Sequence, residues 1–61
     1  MTYTHEVIVE YGNSARDCAI PARSYEAAVN VAEQYIYGED VRCIRIFDER
    51  ANHSVHFWSQ E

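Results

Sequence analysis

The chain contains no leucine and no lysine, and only two glycines, one proline and two cysteines in 61 residues. Each shortage excludes something. Gly12 and Gly38 lie far apart, so there is no glycine-rich loop to cradle a phosphate. Without lysine the only full-time cations are Arg16, Arg23, Arg42, Arg45 and Arg50, set against ten acidic residues for a formal charge of −5. Non-specific nucleic-acid binding runs on phosphate neutralisation by Lys and Arg, so this balance argues against direct contact with DNA or RNA. Cys18 and Cys43 are too few and too far apart for a disulfide scaffold, and both read as small hydrophobes of a reducing compartment. No window approaches the ~20 apolar residues of a membrane span. The opening "MTYTHEVIVEYG" has neither a basic leader nor an apolar run of signal-peptide length, so the expected location is the cytoplasm, away from membranes.

What is present is enough for one small domain over residues 1–61. Hydrophobic residues make up 48% of the chain, above the low-hydrophobicity range of disordered segments. The apolar supply is Val, Ile, Ala, Tyr and Phe, which leans towards strands. Residues 2–11 alternate with period two: Tyr3, His5, Val7, Val9 and Tyr11 share one face, and Thr2, Thr4, Glu6, Ile8 and Glu10 the other. "GNS" at 12–14 predicts a reversal, with a return strand near 16–20 that carries Arg16, Cys18 and Ile20 on one side and is ended by Pro21. Ser24 is placed as a helix N-cap, Glu26 falls in the first turn, and Gly38 sits where a C-terminal glycine stops a helix, so the helix is predicted over 25–37. Its apolar stripe is Tyr25, Ala28, Val29, Ala32 and Ile36, with Val31 and Tyr35 at the flanks. Residues 41–48 and 53–59 predict two further strands joined by a turn at "ERAN". The fold class is therefore α+β, ordered ββαββ: a four-stranded, mostly antiparallel sheet with one helix on one face.

One helix covers one face of such a sheet and leaves the other for solvent or contact. If the strands run without a bulge, Ile44 and Ile46 of the third strand and Val55 and Phe57 of the fourth lie under the helix. Cys43, Arg45, Phe47, His56 and Trp58 then fall on the open face beside Glu6 and Glu10. A bulge of one residue would swap the faces. Two readings of Phe47 and Trp58 follow: anchors of a binding surface, since Trp, Phe and Arg dominate interface hot spots, or a second small cluster packed on itself.

Residues that could carry chemistry are poorly placed for it. In "HSVH", His53 and His56 point to opposite faces of a strand and cannot share an ion. Cys18 and Cys43 fall in apolar strand settings and on different faces, which suits neither a nucleophile nor a disulfide. The carboxylate pairs Glu39/Asp40 and Asp48/Glu49 sit at turns beside water. A chain this short has no room for a deep pocket, so neither an enzyme nor a cofactor is expected. A four-stranded sheet with aromatic residues on its free face also invites comparison with RNA-recognition domains, but the glycine-aromatic segment, the strand order in sequence and the charge all differ.

In length, in acidity and in the segment "PARSYEAAVNVAEQYIYGEDVRCIRIFD" the chain resembles the very small β/α proteins encoded by bacteriophages and mobile elements, and among them the anti-CRISPR inhibitors. The resemblance implies an inhibitor that binds a CRISPR-Cas complex inside a bacterial host cell, often by placing acidic side chains in a basic channel. The expected function is thus an acidic protein-binding module facing a partner with a basic surface, such as a Cas subunit. Its candidate contacts are Glu6, Glu10, Glu33, Glu39, Asp40, Asp48 and Glu49, with Phe47 and Trp58 as apolar anchors. The alternative is a homodimeric structural or assembly protein that pairs through the aromatic face or an exposed edge strand.

Overall fold

The structure, a computed structural model, describes residues 2–60; Met1, Glu61 and the side chain of Ser14 lie outside the described residues. Four strands, β1 (His5–Tyr11), β2 (Cys18–Ala22), β3 (Val41–Asp48) and β4 (His53–Ser59), form one sheet in the order β2-β1-β3-β4, with helix α1 (Tyr25–Tyr35) between β2 and β3 in the chain. Every neighbouring pair is antiparallel. The α+β class and the ββαββ order are as the hydrophobic periods predict.

The covered face follows from alternation. Val7 and Val9 of β1, Ala22 of β2 and Val41, Ile44 and Ile46 of β3 are buried against Ala28 and Ala32 of α1. No polar side chain is buried among the described residues, so this core carries no desolvation penalty to offset. Two alanines at the contact let the helix approach the sheet closely. Ser24 caps α1 as expected: its hydroxyl accepts from the Ala27 N–H at 3.1 Å, satisfying a donor that the helix leaves free.

Several boundaries differ from the sequence reading, each for a physical reason. The return strand lies two residues later than predicted and includes Pro21 opposite Glu6. Proline is tolerated there because β2 is an edge strand with one side unpaired. Arg16 falls in a short 3-10 turn (Ser14–Arg16) instead of the strand, and its guanidinium lies 4.6 Å from the centre of the Tyr11 ring. The helix stops at Tyr35, with Ile36 as C-cap. Gly38 does not adopt a positive φ; the residue that does is Asp40, at φ 68°. A Cβ on Gly38 would lie 3.0 Å from Val41 Cγ2 and 3.1 Å from the Tyr35 carbonyl oxygen, so the glycine here eases a close approach and does not serve handedness.

Asp40 clasps the first reversal. Its carbonyl accepts from the Gly12 N–H at 2.9 Å and its carboxylate accepts from the Asn13 N–H at 3.3 Å. Asn13 in turn accepts from Ala15 N–H, an Asx-type turn. The "ERAN" connection is built the same way: Asp48 Oδ1 accepts from the Arg50 and Ala51 N–H groups, and Asn52 takes φ 54°.

Two bulges decide the rest. Between β1 and β3 the register passes from Glu10↔Cys43 to Tyr11↔Val41, which leaves Arg42 as the extra residue and turns Val41 into the core. Between β3 and β4 it passes from Arg45↔His56 to Ile44↔Trp58, with Phe57 as the extra residue.

Candidate functional site

The face of the sheet opposite α1 has no covering layer among the described residues. Its side chains follow from register: Pro21, Glu6, Phe47 and Ser54 make one row across the four strands, and Ala19, Ile8, Arg45 and His56 the next. Glu10 and Cys43 begin a third row nearer the end where β1 finishes. Phe47 and Ile8 are half-buried by these neighbours and are absent from the core on the other side. The face thus sets the half-buried Phe47 and Ile8 among Glu6, Glu10, Arg45 and His56.

The two central charges are already paired. Glu10 and Arg45 sit diagonally across β1 and β3, and the Arg45 guanidinium donates to the Glu10 carboxylate. Arg45 Nε is enclosed and has no hydrogen-bond partner among the described residues. Glu6 is different. It lies opposite Phe47 with no polar partner for its carboxylate among the described residues, which makes it the one open-face acid with an uncommitted charge.

The other acidic candidates are not brought together. Asp48 ends β3 and Glu49 follows it in the β3–β4 turn at one end of the sheet, Glu39 and Asp40 lie in the α1–β3 loop at the opposite end, and Glu33 is on the exposed side of the helix. Two of them are structural. Asp40 holds the Gly12–Asn13 reversal, and Asp48 both caps its turn and lies 3.7 Å from His5 Nε2. His5 also meets Thr4 Oγ1 at 2.7 Å and the Tyr25 ring edge-on, tying β1 to the helix start. The Thr4 hydroxyl donates to the Arg23 carbonyl, so the Thr4 oxygen is an acceptor for a His5 Nδ1–H.

Trp58 requires a correction. Parity without a bulge sends it to the open face with Phe47; the extra residue at Phe57 places it opposite Ile44 instead, on the covered side, packed against the core. Phe57 is half-buried against the same core. Val55 shares the covered side with Ile46 yet remains 48% exposed, because α1 lies over β1, β3 and β2 and leaves β4 outside its shadow. Neither the free apolar surface at Val55 nor the half-buried Ile8 was singled out by the sequence pattern. Ile8 was nevertheless legible there as the one aliphatic residue on the acidic side of β1.

His53 and His56 lie on opposite faces, opposite Asp48 and Arg45 respectively. Cys18 and Cys43 are free thiols, one facing the core and one on the open face. Among the described residues no cavity is formed and no three His, Cys, Asp or Glu side chains converge on a point. The Tyr11 phenol is raised above the ordinary 10.0 by burial, with Cys18 adding to the effect and Arg16 opposing it. No helix among the described residues is long and apolar enough to cross a membrane. Compared with protein-family models, curated proteins and solved structures, the chain matches none of them.

Proposed function

We propose that this chain is an acidic protein-binding module that docks through the open face of its sheet, with Phe47 as the apolar anchor and Glu6 as the free carboxylate beside it. The observation that carries this reading is the uncovered face itself: a half-buried aromatic and an isoleucine among charged side chains, with no layer above them among the described residues. Aromatic residues ringed by polar groups are the usual anatomy of an interface core and rim. A formal charge of −5 steers the molecule towards a basic surface, which fits a protein that itself holds nucleic acid. Within that class the specific partner proposed is a subunit of a CRISPR-Cas complex, which the chain would inhibit by occupying part of its nucleic-acid-binding surface.

The test is recovery of partners from nuclease-treated lysate of a bacterium with active CRISPR systems, using tagged wild type, Phe47→Ala and Glu6→Arg at low and high salt. Cas subunits bound by wild type, lost with Phe47→Ala and weakened by salt and by Glu6→Arg, are the expected result. Capture that is indifferent to both substitutions would remove the open face from the account. Absence of Cas subunits from the wild-type eluate would remove the CRISPR assignment.

A further inference from the structure

The two edges of the sheet are built differently. β2 is five residues long, contains Pro21 and is flanked by Asp17 and Arg23, all devices that discourage another strand from pairing. β4 is seven residues long and has none of them: from Ala51 to Gln60 there is no Pro, Lys, Arg, Asp or Glu. In a chain of formal charge −5, β4 is the longer edge along which two molecules can meet without opposing carboxylates, since the shorter β2 is interrupted by Pro21 and has Asp17 immediately beside it. It also carries exposed apolar surface, since Val55 is 48% exposed beyond the edge of the helix. The Phe57 bulge disturbs only its far end, and His53–His56 pairs with β3 in unbroken register.

From this we infer that β4 is a self-association edge: two copies of the chain pair antiparallel through β4, about a two-fold axis near Val55, into a continuous eight-stranded sheet. The occupant is a second copy of this chain because an isologous contact brings the same charge-free strand to both sides. An axis normal to the sheet puts both helices on the same face. Val55 of each copy then lies in the trough between them, covering the apolar surface that α1 leaves bare. On the opposite face Ser54 of one copy meets His56 of the other, and the Phe47 surface stays open.

The experiment is the molar mass of the wild-type protein by light scattering over a dilution series, with Val55→Lys and, as a control at an unrelated exposed site, Tyr37→Lys. Amide exchange of the wild type at high and low concentration runs alongside. Expected are twice the monomer mass for wild type and Tyr37→Lys, the monomer mass for Val55→Lys with unchanged far-UV circular dichroism, and β4 amides whose protection rises with concentration while those of β2 do not change. A wild type that stays monomeric at high concentration overturns the inference, as does a dimer that Val55→Lys leaves intact. If Val55→Lys were unfolded, the exchange data decide: protection that rises in β2, or in neither edge strand, overturns it, and a heterologous strand on β4 would show as protection appearing only when lysate protein is added.

Discussion

The two faces of the sheet are built from the same strands by different rules. Beneath α1 every fully buried residue is aliphatic and uncharged. On the other side Phe47 and Ile8 sit half-covered among Glu6, Arg45, Glu10 and His56, and Glu10 is paired with Arg45. The difference separates what holds the chain together from what it can offer outward. Burial on one face supplies the stability of a domain near the lower size limit, so the opposite face is free to carry charge and aromatic surface that folding does not require.

The comparison breaks most visibly with matched substitutions on the two faces. Ile44→Ala removes a side chain that is 0% exposed and should destabilise by roughly 2–5 kcal/mol, a large share of the total for a domain of this size. Ile8→Ala, the same chemistry on the open side, should cost about 1 kcal/mol because much of the transfer term is already lost to solvent. Urea midpoints of the two variants measure the contrast, and equal losses would mean that the faces are not divided as described.

A smaller effect is expected at the clasp that sets the first reversal. An alanine at Gly12 would place its Cβ 2.5 Å from Asp40 Oδ1, so the carboxylate must move off the Asn13 N–H. Loss of that bond is worth about 1 kcal/mol by thermal denaturation. Smaller again is Glu10→Gln on the open face. The Arg45 pair is part-exposed, so the loss should not exceed ~0.5 kcal/mol, and it should shrink further in high salt.

The smallest prediction concerns pH. Tyr11 has its phenol raised in the folded state, so above the unfolded value of 10.0 the unfolded chain releases a proton that the folded chain retains. Stability contributed by the neutral phenol is full below that pH and falls as pH rises towards the folded value. In Tyr11→Phe this part of the alkaline decline should be absent, as a comparison of denaturation midpoints at neutral and alkaline pH would reveal.

Much of this division is legible in the residues. The alternation of β1 separates Val7 and Val9 from Glu6, Ile8 and Glu10, Ser24 announces the helix, and the parity of β3 assigns Ile44 and Ile46 to one side and Arg45 and Phe47 to the other. The bulges at Arg42 and Phe57 are not legible, because one extra residue leaves no mark in composition and yet reverses every side chain beyond it. That is why Val41 joins the core and Trp58 leaves the open face. The Glu10–Arg45 pair was likewise hidden, since it depends on β1 and β3 being neighbours, a fact of strand order that local pattern does not carry. Nor does spacing show that Asp40 and Asp48 spend their carboxylates on turns, while Glu6 keeps its own free.

The most direct test of the account sets Trp58→Ala against Phe47→Ala, two large rings one bulge apart in assignment, by urea unfolding followed with far-UV circular dichroism. The account predicts that Trp58→Ala loses roughly 3 kcal/mol or unfolds, since its ring packs on the core, and that Phe47→Ala remains folded with a loss near 1 kcal/mol. The reverse order would contradict it, and would return Trp58 to the open face and Phe47 to the core.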